Sequence, residues 1–270
     1  QGFKYSHKIE ATGGTYSADA NFVMIRQYLE AQDCRHLQYG TSNAKKLTMS
    51  FWVKTTARAG TLIVNFLHNG SGTQRQCSLS FTVSAANTWE KLEATLPADT
   101  ATAIGNTDTA KGLFFDIMFA KSTGWSTGST LNTNWQDNNN GERAVGQTDF
   151  LQANGDEVYI TGVQLEVGDK ATPFEHRSYG DELARCQRYY AEGGVVLASG
   201  TPDRYYTNIA LPVSMRAVPT ISVGQYDSGS GGNMVAQFGA GGSQTSLHNF
   251  YQGANHSMIA SAYFKFDAEL

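Results

Sequence analysis

The chain has 270 residues, 40% hydrophobic and only 16% charged, with 28 glycines and a net charge of −4. That supplies enough apolar material for one large or two ordinary cores, which excludes a disordered chain. The negative balance excludes a basic nucleic-acid face, and no window approaches the roughly 18 apolar residues of a membrane span, so no membrane insertion is expected.

Period-2 alternation recurs along the chain. In "KLTMSFWVKT", Leu47, Met49, Phe51 and Val53 fall on one face, and Thr48, Ser50, Trp52 and Lys54 on the other. In "QCSLSFTVS", Cys77, Leu79, Phe81 and Val83 point one way. In "GLFFDIMFAK", Leu113, Phe115, Ile117 and Phe119 share a face. Phe114 and Met118 join Asp116 on the opposite one, so both faces of this strand are expected to be partly covered. "DEVYITGVQLEVG" reads as a further strand, with Gly162 at a bulge. Turn clusters such as "HNGSG", "SAANTW" and "STGSTLNTN" separate the runs. Polar-out, apolar-in alternation without helical crossovers predicts an all-β fold. Residues 1–175 are expected to form an antiparallel jelly-roll β-sandwich.

The pattern changes at "TPFEHRSYGDELARCQRYY", Thr172 to Tyr190. Pro173 cannot donate to a ladder and holds Thr172 extended. Ser178 is placed to cap a helix, with Asp181 three residues on as a short capping-box partner. Leu183, Cys186 and Tyr190 follow at helical spacing, and Gly193-Gly194 is expected to end the helix. Residues 176–194 therefore read as a short linking α-helix, marginal unless packed against something. Alternation returns after it, predicting a smaller antiparallel β tip domain over 195–270, with Pro212 and Pro219 at strand ends or edges. From Tyr205 to Phe264 the only charged residues are Arg216 and Asp227. Such a surface is covered by protein or offers hydroxyls, amides and aromatics to a neutral ligand.

No catalytic constellation stands out, and the chain is expected not to be an enzyme. There is no G-x-S-x-G elbow, and the glycine runs lack the Lys-Ser/Thr of a phosphate loop. Acids such as Asp116, Glu157 and Glu166 serve glycoside hydrolysis only if two of them face one cleft. Cys34, Cys77 and Cys186 are an odd set with no close spacing, which predicts small free thiols and no zinc site. The six histidines are scattered, so no metal cluster is expected. The oxygen-rich stretch 132–144, "NTNWQDNNNGERA", is the one place where Ca²⁺ is conceivable, although its order is not that of an EF-hand; no other cofactor is expected.

The segment "VYITGVQLEVGDKATPFEHRSYGDELARCQRYY" resembles the junction found in many bacteriophage tail fibre and other virion structural proteins. There it follows a sandwich similar to jelly-roll carbohydrate-binding modules. "LTMSFWVKT", "SFTVSAANTWEKLEATLP" and "TGSTLNTNWQ" fit the same pattern. The closing "AYFKFDAEL" resembles the C-terminus of such proteins, which implies that the chain ends where its gene ends. Gln1 is not an initiator Met, which is compatible with a longer gene product. The resemblance implies a virion component and no reaction. It points first to the distal part of a homotrimeric tail fibre that contacts a host surface glycan or receptor. A capsid or tail decoration protein bound to other virion proteins is the alternative, and a carbohydrate-active enzyme a distant third. In the trimer, Leu183, Arg185, Cys186, Tyr189 and Tyr190 are the interface candidates, with Arg188 beside them. Glycans stack on aromatic faces and bond amides. The candidates for such contacts are Trp125 and Trp135 beside "STGSTLNTN", Tyr205 and Tyr206, and the cluster His248, Asn249, Phe250 and Tyr251, flanked by Gln252, Asn255 and His256.

Overall fold

The computed structural model describes residues 2–13, 21–70, 72–105, 109–198, 209–227, 246–247 and 259–269. The chain divides into two compact units, Gln1–Glu175 and His176–Leu270.

The first unit is built of antiparallel strands: β1 (His7–Glu10), β2 (Phe22–Glu30), β3 (Leu47–Thr55), β4 (Gly60–Asn69), β5 (Gln74–Val83), β6 (Glu90–Leu96), β7 (Lys111–Lys121), β8 (Gln136–Asp137) and β9 (Glu157–Val167). A single helical turn, α1 (Ala31–Cys34), follows β2. One sheet has the order β1-β9-β3-β6 and the other β2-β7-β4-β5-β8. The alternating apolar residues decide how the sheets meet. Met49, Phe51 and Val53 of β3 share one core with Leu62, Val64 and Phe66 of β4, Cys77, Leu79, Phe81 and Val83 of β5, and Leu113, Phe115, Ile117 and Phe119 of β7. Phe51 and Phe81, from opposite sheets, meet edge to face at 5.0 Å. Each such side chain contributes about 1.5–3 kcal/mol by leaving water. Cys34 and Cys77 are free thiols buried in this core.

On β7 the alternate face is closed as well: Phe114, Asp116 and Met118 are buried. The long connection 122–156 supplies the groups that pair there. Where β7 no longer bonds to β4, Thr148 N–H donates to Thr61 O at 2.9 Å, and Gln147 Oε1 accepts from Ile63 N–H at 2.7 Å. Ser78 N–H donates to Asn132 O at 2.6 Å. On β9 the register against β3 shifts between Ser50 and Trp52, where Gly162 takes φ +60°. This is the bulge expected there. The ring of Phe3 lies where a Cβ on Gly162 would stand, so a side chain there would have to displace it.

The second unit opens with α2 (Tyr179–Gln187), followed by β10 (Tyr190–Ala198), β11 (Ile209–Ala210), β12 (Thr220–Asp227), β13 (Ser246–Leu247) and β14 (Ile259–Asp267). Its sheets have the orders β10-β14-β12 and β11-β13, all antiparallel. Ser178 caps α2 by accepting from Asp181 N–H at 3.2 Å. The Asp181 carboxylate is one methylene short of a full capping box, and instead accepts from the Ser178 hydroxyl at 2.6 Å.

The helix ends sooner than its spacing predicts. Ala268 N–H donates to Tyr189 O at 2.8 Å and Arg216 N–H to Arg188 O at 2.9 Å, so distant chain takes the carbonyls that another helical turn would need. Tyr190 is therefore a strand residue. Gly193 and Gly194 are not a terminator but lie within β10, opposite Phe264 and Tyr263. Pro219 stands directly before β12 and Pro212 just past β11, at strand ends as their chemistry requires.

Candidate functional site

The outer face of the four-stranded sheet carries a candidate site. Alternation places Trp52 and Lys54 of β3 and Tyr159 and Thr161 of β9 outward, because their neighbours Val53, Val158 and Ile160 point into the core. Trp89 reaches the same face from the turn before β6, and its ring lies 6.4 Å from that of Tyr159, edge to face. The Lys54 ammonium sits over both rings, 4.4 Å from the Tyr159 centroid and 5.8 Å from that of Trp89. Beside them the N-terminal segment crosses the face, held by a 2.9 Å bond from Thr161 Oγ1 to Tyr5 O. Phe3 anchors it on Gly162 and meets Phe174 edge to face at 4.8 Å. Between this segment and Trp89 lies an open cleft of ≈ 200 Å³ lined by Phe3, Lys4, Tyr5, Ser6, Trp89 and Thr161. Tyr5 is 76% exposed, and the Lys4 ammonium lies 5.1 Å over its ring.

The acids of this face are already engaged. Tyr159 Oη donates to Glu157 Oε2 at 2.6 Å, and Lys8 Nζ bonds Glu157 at 3.0 Å and Glu10 at 2.6 Å. The Tyr159 hydroxyl first, then Lys8, hold the Glu157 carboxyl below its ordinary value. The same bond pushes the Tyr159 phenol above its own.

Two buried ionic clusters lie elsewhere in the first unit. Asp116, on the outward side of β7, receives Arg26 Nε at 2.6 Å and Nη2 at 2.8 Å, and Nη2 of Arg143. Burial pushes the Arg143 guanidinium down to about 10. His68 Nε2 lies 3.0 Å from Asp99 Oδ2, which also accepts from Arg75 Nε at 3.1 Å. The three acids considered for hydrolysis do not converge. Asp116 is on the five-stranded sheet, while Glu157 and Glu166 sit at opposite ends of β9, roughly 30 Å apart at strand rise. Among the described residues no three His, Cys, Asp or Glu side chains converge as metal ligands, and no helix is long and apolar enough to cross a membrane.

The expected glycan aromatics of this unit are occupied by their own chain. Trp135 donates Nε1–H to Pro97 O at 2.6 Å and packs on Tyr39 and His68. Trp125 meets Phe22 edge to face at 4.8 Å and carries the Arg143 guanidinium 4.5 Å over its ring. Tyr205, Tyr206, His248, Asn249, Phe250, Tyr251, Gln252, Asn255 and His256 lie outside the described residues. In 132–144 several of the oxygens are spent within the chain, while Asn138 Oδ1 is buried with no hydrogen-bond partner among the described residues. Asn139 Oδ1 accepts from Gly141 N–H at 3.1 Å, Glu142 from Gln136 at 2.9 Å, and Asp137 from Arg75 at 3.0 Å. Of the interface candidates, Leu183 and Cys186 are exposed on α2, together with Arg185. Tyr189 lies in the turn that follows and Tyr190 begins β10.

No protein-family model matches the chain, and no curated protein matches it. Among solved structures it is similar to that of the Macrobrachium rosenbergii nodavirus at 9% identity and a TM-score of 0.21, covering 98% of this chain and 81% of that one. A likeness that loose does not place the two in one fold.

Sequence reasoning missed Lys54, Trp89, Tyr159 and Tyr5 as a group. The available signal was an aromatic and a lysine on the otherwise small, polar face of "KLTMSFWVKT". Chemically, the arrangement presents aromatic faces, hydroxyls and ammonium groups on an open surface, which suits holding a ligand.

Proposed function

We propose that this chain is a non-enzymatic phage virion protein, the distal part of a trimeric tail fibre that contacts the host surface. The observation that carries this reading is α2. It is a capped helix of 9 residues with none of them buried, and it shows Tyr179, Leu183 and Cys186 along one stripe. So short a helix is not stable by itself, and an apolar stripe of this kind is covered in an assembly. The charge-poor stretch from Tyr205 to Phe264, with Arg216 and Asp227 alone charged, has the composition of a surface shared between copies. The junction resemblance supplies the trimer and the virion.

Strand pairing supports a jelly-roll sandwich for the first unit. With the two-residue β8 set aside, the other strands pair first with last (β1–β9), then β2–β7, β3–β6 and β4–β5. That is one long hairpin folded over on itself into two sheets. The aromatic cleft on its outer face is the surface we assign to host glycan.

Sedimentation of the purified chain at micromolar concentration is expected to give a trimer, and Leu183→Asp is expected to give monomers with an unchanged far-UV spectrum. A wild-type monomer would overturn the reading. Antibody label on the head of the intact particle and not on its tail would assign the chain to decoration.

A further inference from the structure

We infer that the cleft beside Trp89 selects saccharides that carry an anionic group. The inference rests on the host-glycan reading above and specifies its ligand. It follows from which charges on this face already have partners. Glu10 and Glu157 are bridged by Lys8, and Glu157 also holds the Tyr159 hydroxyl. Among the described residues neither Lys4 nor Lys54 has a carboxylate within salt-bridge distance, although the Lys54 charge still acts on Glu157; each ammonium rests on aromatic faces, Lys4 on Tyr5 and Lys54 on Tyr159 and Trp89. A ring face attracts an ammonium through its quadrupole but does not neutralise it. Around the cleft three lysines, Lys4, Lys8 and Lys54, thus stand against two carboxylates, Glu10 and Glu157, a local excess of one positive charge on a protein whose net charge is −4.

The rest of the lining suits a sugar ring. Trp89 and Tyr5 offer faces for C–H stacking, and Thr161 and Ser6 offer hydroxyls for pyranose oxygens. At ≈ 200 Å³ and open to solvent, the cleft fits one or two sugar units and not a folded partner. A pyranose stacked on Trp89 with its carboxylate or sulfate toward Lys54 satisfies both halves of the site.

The test titrates the purified 270-residue chain with polygalacturonate, dextran sulfate and neutral dextran at low and high NaCl. Expected is binding to one or both charged polymers, which tells carboxylate from sulfate, weakened by salt and at least about fivefold tighter than to dextran. Lys54→Gln should lower the ratio of charged-polymer to dextran affinity by about fivefold, while Lys54→Arg retains the preference. Trp89→Ala should weaken all saccharides by about tenfold. Equal binding of charged and neutral polymers, unmoved by Lys54→Gln, would overturn the charge selectivity and leave the glycan surface standing. No binding of any polymer would overturn both, while the fibre reading is judged separately by sedimentation.

Discussion

His68 has no exposed side chain at the end of β4, and its ring packs against Tyr39 and Trp135. Facing it are Asp99 from the loop after β6, Arg75 from β5 and the Tyr39 hydroxyl. Nε2–H donates to Asp99, while Nδ1 and Tyr39 Oη have no hydrogen-bond partner among the described residues. Burial pushes the imidazole below its ordinary 6.5, and the Asp99 contact opposes this only in part, so the pair is a neutral hydrogen bond to a carboxylate rather than an ion pair. Burial alone would raise Asp99, but His68, the Ala101 N–H and Arg75 hold it below its ordinary 3.8. The linkage sign follows. As pH falls through 6.5 the unfolded chain takes up a proton that folded His68 refuses, so stability declines below that value. The Asp99 contribution persists to lower pH and is lost only through its own depressed value. The urea midpoint should hold steady above neutrality and drop toward pH about 5, and His68→Gln should flatten that drop. A wild-type midpoint flat across the interval would contradict the assignment. None of this was legible locally: His68 is one of six histidines, and its partner lies 31 residues away. Trp135 stood out as an aromatic in a polar loop, but only the fold reveals that its indole N–H is spent on Pro97.

At the scale of elements, legibility follows the chemistry of the second face. β3 and β5 announced their inner residues because their outer faces are mostly small and polar. β4, "GTLIVNFLHN", gave no alternation to read because the connection 122–156 covers its second face too. β7 hinted at the same cover through Phe114 and Met118, and the latch that fastens it is Asp116 with Arg26 and Arg143. The helix boundary was misread because Gly193-Gly194 looks like a stop signal, whereas strand pairing to β14 decides that segment. The latch makes a quantitative prediction. Removing one partner of a buried ion pair costs about 3–5 kcal/mol, because the remaining charge is stranded. Arg26 keeps 30% of its side chain exposed and can turn to water, while Arg143 at 6% cannot. Asp116→Asn should therefore destabilise the first unit by about 3 kcal/mol, read as a lower urea midpoint. Glu10→Gln, which removes an exposed partner of Lys8, should leave that midpoint almost unmoved. Equal effects from the two variants would mean that Asp116 is not the latch.

For the whole molecule, the decisive arrangement is that the first unit closes on itself. Every residue of its core, from Cys34 to Ile160 with Leu165 packed alongside, lies before Glu175, and the pairing of β1 with β9 joins its two ends in one sheet. A domain of this length buries enough surface to fold without help. Pro173 and the loss of alternation mark that boundary in the sequence. In the second unit the local pattern misled at its start, where pairing of Tyr190 with Asp267 and not helical spacing decides where β10 begins. If assembly resides in α2 and the tip, then the fragment 1–175 should unfold cooperatively in urea at the midpoint of the corresponding full-length transition, yet sediment as a monomer. An insoluble or molten fragment would show that the core needs the second unit. A trimeric fragment would move the assembly surface onto the first unit and remove α2 from the role given to it.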